Sequence, residues 1–206
     1  MRQNDRFRES MPAWITPYRN ILLLCTIAAI LFSITGCQST LTSSGYKQDC
    51  KYSLKKRKSY ISCSQEGSWA TVTCPLPLKV PQRSLDRLFS SIDDYLGTAY
   101  RAGGATPEGF DCSGFVYYLY RKNFRMLLPH TTEELATLGT VVPRKQLQRG
   151  DLVFFSIGGS RIDHVGIFIG NNSFAHAANS GVVVNRLYER YYDTRYACAA
   201  RLVTPD

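Results

Sequence analysis

The spacing of apolar residues divides the chain into three parts. Residues 21–35 are almost entirely apolar, residues 37–83 show no regular spacing, and from residue 84 onward apolar residues recur at regular intervals. We therefore predict a leader at residues 1–36, a basic, Cys-containing linker or small N-terminal segment at 37–83, and a folded domain at 84–206.

Two helices are predicted at the start of the domain. The first begins behind Ser84 as N-cap, ends near Leu96 and is followed by Gly97. Its apolar positions have helical spacing: Leu85, Leu88, Phe89, Ile92 and Leu96. The second begins behind Asp111 as N-cap and continues to about Lys122, with Cys112, Phe115, Val116 and Leu119 on one face. A third, short helix is predicted at the capping box Thr131-Thr132-Glu133-Glu134.

Downstream of residue 150 the pattern changes to short, β-rich runs separated by Gly or Asn. The predicted strands are residues 151–155, 165–169, 173–177, 182–185 and 196–201. Such closely spaced strands favour an antiparallel sheet. The predicted fold class is therefore α+β.

Two of the three histidines fall on neighbouring predicted strands. A three-residue loop, Gly170-Asn171-Asn172, would pair Ile169 with Ser173. His164 and His176 would then project from one face of the sheet, whereas a two-residue loop would break that parity.

The apolar run of residues 21–35 lies behind an Arg-bearing leader and is shorter than the ~20 residues that cross a bilayer. It ends at Gly36-Cys37, which resembles the lipobox of bacterial lipoproteins, where the cysteine is diacylated and the leader removed. We expect Cys37 to be the lipid attachment site. An ordinary signal peptide or a short uncleaved anchor are the alternatives. Gln38 in place of Asp favours the outer membrane, facing the periplasm, if the host is Gram-negative.

Charge argues against a nucleic-acid partner for the folded part. Lys and Arg number 25 against 16 Asp and Glu, for a net charge of +9. Most of the excess lies before residue 85, so the predicted domain is nearly neutral. The basic run Lys55 to Lys58 is interpreted as a solvated surface, or alternatively as an attachment to anionic headgroups or wall polymer.

The cysteines fit an exported protein. Cys50, Cys63 and Cys74 lie in a stretch too poor in apolar residues to build a core, so a disulfide is predicted there. A zinc site is weaker, because neither a C-x-x-C spacing nor a nearby His accompanies them. Cys198 is either a partner of one of the three or a buried small hydrophobe.

Cys112 has the position of a thiol nucleophile. The N-terminus of a helix favours an anion and should lower the pKa of a thiol held there. The alternative is a buried cysteine on the apolar face of the same helix. In the catalytic hypothesis His164 takes the Cys112 proton and His176 holds the His164 ring, whereas His130 is a loop or capping residue.

Residues 96–203 resemble the NlpC family of papain-like cell-wall cysteine endopeptidases. The motifs that carry the resemblance are LGTAY at residues 96–100, FDCSG at 110–114, RGDLVFF at 149–155, DHVGI at 163–167 and FAHA at 174–177. The resemblance implies N-terminal helices packed on a five- to six-stranded antiparallel sheet. It also implies a Cys112, His164, His176 triad, with Tyr100 assisting oxyanion stabilisation. Ala102 departs from the aromatic residue common before the Gly-Gly pair, which leaves the shape of one subsite wall in doubt.

The activity implied by the resemblance is hydrolysis of amide bonds in peptidoglycan stem peptides, in the cell envelope. No cofactor or metal is expected, and we expect a monomer. A second interpretation moves the cut to the sugar-peptide amide or makes the reaction acyl transfer. A third, of another class, is a zinc-binding or non-catalytic wall-binding lipoprotein using the same three residues.

Overall fold

A computed structural model of the chain describes residues 57–206. The predicted leader, the lipid site at Cys37, Gln38 and Cys50 lie outside these residues. Within the described part, no helix is long and apolar enough to cross a membrane.

The first helix, α1 (Gln82–Asp94), begins three residues earlier than predicted. Pro81 is its N-cap residue, so the prediction that Ser84 caps the helix is wrong. Proline suits a helix start because it lacks the N–H that would remain unpaired there. Ser84 is buried inside the first turn, where its hydroxyl accepts a hydrogen bond from Arg87.

The second helix, α2 (Cys112–Phe124), confirms the predicted start and cap. An Asp111 carboxylate oxygen accepts the Gly114 backbone N–H at 2.6 Å. In the short helix α3 (Thr132–Leu135), the Thr131 hydroxyl accepts the Glu134 N–H at 3.3 Å and donates to the Glu134 carboxylate at 2.8 Å. The Glu134 side chain therefore bonds the cap hydroxyl rather than the backbone N–H of the usual capping box.

The main sheet has six strands: β6 (Thr140–Val141), β7 (Leu152–Phe155), β8 (His164–Gly170), β9 (Ser173–Ala178), β10 (Gly181–Arg186) and β11 (Tyr196–Arg201). Their spatial order is β10-β9-β8-β7-β11-β6, and every neighbouring pair is antiparallel. Smaller elements are β4 (Ala105–Thr106), β5 (Gly109–Phe110), a 3₁₀ turn (Arg144–Gln146) and α4 (Arg190–Asp193). The α+β class and the antiparallel sheet are confirmed.

The β8–β9 hairpin differs from the predicted loop but keeps the predicted parity. Gly170 pairs with Ser173 around a two-residue turn, Asn171-Asn172, whose φ angles are 49° and 57°. Two positive φ angles are typical of a type I′ hairpin turn. A register shift between Phe168 and Gly170 adds one residue to β8, so Ile167 pairs with Ala175, as the three-residue loop had predicted. The loop length was wrong, and the bulge restores the register.

Both faces of the sheet are covered. The main core lies between the sheet and the helices α1 and α2 and includes Leu88, Phe115 and Phe154. A second cluster around Phe155 and Phe174 lies on the opposite face. The adjacent residues Phe154 and Phe155 enter different cores because successive side chains of a strand alternate.

Residues before Ser84 also join this core. β1 (Tyr60–Ser64) and β2 (Thr71–Pro75) form a hairpin with a Cys63–Cys74 disulfide, and β3 (Leu78–Val80) pairs in parallel with β12 (Val203–Pro205). The disulfide agrees with the prediction, and it rules out Cys63 and Cys74 as zinc ligands because their sulfurs bond each other. Cys198 is outside this disulfide and is buried in the core.

Candidate active site

Cys112 is the first residue of α2 and lies at the edge of a cleft. Its Sγ contacts the Thr132 hydroxyl at 3.7 Å and the Asp163 carbonyl oxygen at 3.8 Å. Gly114, two residues on, packs so closely on the Gly104 carbonyl that a Cβ there would collide with it. The glycine of the FDCSG motif therefore lets the start of α2 approach the loop that contains Gly103 and Gly104.

The two predicted histidines meet. His164 is the first residue of β8, and its Nε2 lies 2.8 Å from Nδ1 of His176 in β9. The rings are nearly perpendicular, at 89°, and His176 has no exposed surface. The prediction that the two imidazoles share a face is confirmed. The hydrogen bond to His176 engages Nε2 of His164, and Nδ1 is the other ring nitrogen.

A polar chain continues beyond His176. Its Nε2 lies 2.9 Å from Asn185 Oδ1, and the Asn185 amide donates to a Glu189 carboxylate oxygen at 2.9 Å. The Tyr192 hydroxyl donates to the same Asn185 oxygen at 3.3 Å. Sequence reasoning missed these three residues. The signal was present for Asn185, because a two-residue turn after β9 pairs His176 with Val183 and places Asn185 on the same face.

Tyr100 lines the cleft and is 40% exposed. A backbone bridge to Phe110 holds it near the start of α2. Burial, together with the charges of Cys112 and Asp111, raises the pKa of Tyr100 above its ordinary value. The phenol is therefore neutral near neutral pH and available as a hydrogen-bond donor.

The cleft has a volume of about 550 Å³. Besides Tyr100, Cys112, His164 and His176, its walls come from the β7–β8 loop, the end of β9 with the turn that follows it, and helix α4: Ile157, Gly158, Asp163, Ala177, Ala178, Asn179, Ser180, Tyr191 and Tyr192. One wall is fixed by Asp163, whose carboxylate accepts the backbone N–H groups of Ile157 at 2.7 Å and Gly158 at 2.5 Å. Asp163 directly precedes His164, so these hydrogen bonds connect the two ends of the loop between β7 and β8.

Burial has the dominant effect on the pKa values of Cys112 and His164. It raises the pKa of Cys112, against hydrogen bonds from Thr132 and from the backbone of Val165 and Ser113. It lowers the pKa of His164 to about 3, and the neighbouring His176 acts in the same direction. The expectation of a lowered thiol pKa is therefore wrong for the net pKa: the Ser113 N–H at the helix start lowers it, but desolvation of the thiolate outweighs this. Both groups are favoured in their neutral forms at rest.

The remaining predicted residues lie elsewhere. His130 is in the loop before α3, its ring 4.1 Å from that of Tyr117 and its carbonyl accepting the Ser113 hydroxyl at 2.7 Å. Among residues 57–206, no three His, Cys, Asp or Glu side chains are grouped so that they could hold a metal ion. The hydrogen bond between His164 and His176 also occupies the two nitrogens that face each other.

The fold and this arrangement of one cysteine at a helix start with two paired histidines on a sheet are papain-like. Residues 97–201 match the NlpC/P60 family, and the chain belongs to that family. The chain is 44% identical over 119 residues to an Escherichia coli K12 protein named Murein DD-endopeptidase MepS/Murein LD-carboxypeptidase, covering 57% of this chain and 63% of that one. It is 35% identical over 158 residues to the Murein DD-endopeptidase MepH of the same strain, covering 73% of this chain and 58% of that one.

Among solved structures, an NlpC/P60 family protein from Bacillus cereus ATCC 10987 shares the fold. Its TM-score is 0.56 at 22% identity, over 72% of this chain and 62% of that one. The chain therefore spans less than two thirds of the length of these relatives.

Proposed function

We propose that the chain is a cysteine endopeptidase that hydrolyses amide bonds in peptidoglycan stem peptides. The observation that carries this proposal is the placement of Cys112 at the start of α2, in one cleft with the hydrogen-bonded pair His164 and His176. The substrate class is supported by the murein endopeptidase names of the relatives that match the same part of the chain.

The proposed mechanism gives each residue of the site one step. His164 Nδ1 takes the proton from Cys112 Sγ as the sulfur attacks the scissile carbonyl carbon. The oxyanion that forms is stabilised by the Tyr100 hydroxyl and the Cys112 backbone N–H. The His164 imidazolium then gives its proton to the leaving amine as the C–N bond breaks, which leaves an acyl-thioester. Water, deprotonated by His164, hydrolyses the thioester and restores the thiol.

A neutral resting pair suits this sequence of steps. Because burial disfavours both separated charges at rest, the thiolate and the imidazolium form together on proton transfer, where each stabilises the other. His176 accepts or donates at the far side of the ring and so holds its orientation.

The location proposed is the cell envelope, with the protein body held to a membrane by lipid on Cys37. This part of the proposal rests on residues 21–37 alone, where a short apolar run ends at Gly36-Cys37. An outer-membrane position facing the periplasm follows if the host is Gram-negative.

The test is digestion of purified peptidoglycan with mass spectrometry of the released fragments. Wild type should release peptides cut within the stem, and Cys112→Ala should release none while keeping the fold. Cys198→Ala is the matched control. Because Cys198 is buried in the core, this variant should have a lower free energy of unfolding, and its turnover should change less than its stability. Cleavage at the sugar-peptide amide would identify an amidase instead, and hydrolysis by Cys112→Ala would refute the mechanism.

A further inference from the structure

The hydrogen-bonded chain that starts at His164 runs through His176 and Asn185 to Glu189, at the end of a turn before α4. Glu189 is anchored at both carboxylate oxygens. One accepts the Arg186 backbone N–H at 2.8 Å and the other accepts the Asn185 side-chain amide at 2.9 Å. At this end of the hydrogen-bonded chain, the hydrogen bond therefore has a fixed direction, with Asn185 as donor and Glu189 as acceptor. We call this direction of donation the polarity of the hydrogen-bonded chain.

That polarity passes from residue to residue. An ionised carboxylate only accepts, so Asn185 must direct its NH₂ toward Glu189 and its oxygen toward His176. His176 Nε2 must then carry the proton that it donates to this oxygen, which leaves His176 Nδ1 as an acceptor. His164 Nε2 must in turn carry the proton that it donates to His176 Nδ1.

The consequence reaches the reacting atoms. With its proton on Nε2, a neutral His164 has its lone pair on Nδ1, the nitrogen that would receive the proton of Cys112. The opposite polarity along the chain would put a proton on Nδ1 and leave no base for the thiol.

We propose that Asn185 and Glu189 are positioning residues that select the base-competent tautomer of His164 through His176. This inference rests on the proposed function of Cys112 and His164 and extends it to two residues outside the triad.

The surroundings support the assignment. Tyr192 lies at the contact between His176 and Asn185: its hydroxyl donates to Asn185 Oδ1 at 3.3 Å and lies 3.4 Å from His176 Nε2. His176 has no exposed surface, which leaves no direct solvent access to its ring. Burial lowers the pKa of His176, while the Asn185 hydrogen bond and the charge of Glu189 act against this.

The decisive variants exchange acid and amide. In Glu189→Gln only one oxygen remains for the two donors, Arg186 N–H and Asn185 NH₂. When the new amide turns its NH₂ toward Asn185, Asn185 must flip and the polarity of the whole chain reverses. In the double variant Asn185→Asp/Glu189→Gln, the new aspartate again only accepts, from His176 on one side and from the glutamine on the other, so the original polarity returns.

Two readouts are made on the full chain. Two-bond ¹H–¹⁵N correlation spectra report which nitrogen of His164 carries the proton, and kcat and KM are measured on soluble peptidoglycan fragments. We expect Glu189→Gln to populate the Nδ1–H tautomer and to lower kcat at least about tenfold with KM little changed, within the roughly 10⁴-fold cost of a fully wrong tautomer. The double variant should recover both readouts to near wild type.

The matched control is Glu66→Gln, which makes the same change in an ion pair with Arg125 at the β1–β2 hairpin, outside the cleft lining. It should change neither readout. The proposal is overturned if His164 keeps Nε2–H in Glu189→Gln, if kcat there stays at the wild-type value, or if the double variant fails to restore the tautomer. The spectra require no substrate, so a wild-type protein that does not cut peptidoglycan refutes the proposed function and leaves the tautomer test intact.

Discussion

The buried, neutral state of His164 predicts a loss of stability in mild acid. Its pKa is lowered from 6.5 to about 3 in the folded chain, mainly by burial. The unfolded chain therefore binds a proton on this ring that the folded chain resists. Stability from this source is present above pH 6.5 and is lost as the pH falls from there toward 3.

The magnitude follows from the distance between the pH and the unfolded pKa. A pH of about 5 lies roughly 1.5 units below the pKa of the His164 imidazole in the unfolded chain, so this ring is protonated there. The imidazole in the folded chain is still neutral at this pH. Each unit of difference is worth about 1.36 kcal/mol. His164 alone should therefore cost roughly 2 kcal/mol between about pH 7 and about pH 5. His176, whose pKa burial also lowers, acts in the same direction.

Urea unfolding followed by circular dichroism, at both pH values, measures this loss. His164→Gln removes the titrating ring, so the decrease in unfolding free energy between the two pH values should shrink by roughly 2 kcal/mol relative to wild type. His130→Gln is the matched control, because it removes an exposed histidine outside the cleft lining. It should leave the wild-type pH dependence in place.

The opposite result has a definite meaning. If wild type and His164→Gln lose the same free energy between the two pH values, folding does not lower the pKa of His164. If the variant loses more than wild type, folding raises this pKa, as expected for an imidazolium paired with a Cys112 thiolate. Either result would refute the conclusion that burial outweighs ion pairing at His164.

Three further outcomes are expected. His164→Asn should lower the rate of peptidoglycan hydrolysis by about 10²–10⁴-fold. His176→Asn should keep measurable activity, because a side-chain carbonyl can still hold the His164 ring. If His176→Asn is instead the slower variant, His176 is the base and His164 the residue that orients it. Asp151→Asn should cost about 3 kcal/mol of unfolding free energy in urea, because Asp151 is 1% exposed and accepts two 2.8 Å hydrogen bonds from Arg201; a loss under about 1 kcal/mol would contradict this. Cys37→Ser should abolish uptake of labelled fatty acid, and persistent labelling would exclude Cys37 as the lipid site.

Local patterns were sufficient for the elements that carry the site. The start of α2 was predictable because Asp111 is a strong capping residue directly before an apolar stripe of helical spacing. The strands were predictable because short β-branched and aromatic runs alternate with Gly and Asn turns. The predicted register of His164 and His176 was confirmed although the loop was shorter than expected, since the bulge in β8 supplied the missing residue.

Two details depended on packing and strand pairing that local patterns do not specify. Ser84 resembles a cap locally, but Pro81 already starts the helix, and Ser84 is buried instead. The pairing of Cys63 with Cys74 depended on the β1–β2 hairpin, which spacing between cysteines does not specify.

The sequence by itself determined which side chains could do chemistry and which local element holds each of them, because caps, turns and apolar spacing act over a few residues. Only the tertiary structure decided the protonation of those side chains. The pKa of Cys112 is raised rather than lowered because helices and strands remote in sequence close over the thiol and remove water from it. The hydrogen bonds that connect Asn185 and Glu189 to His176 likewise depend on tertiary structure. They form only when β8, β9 and β10 lie side by side in the sheet.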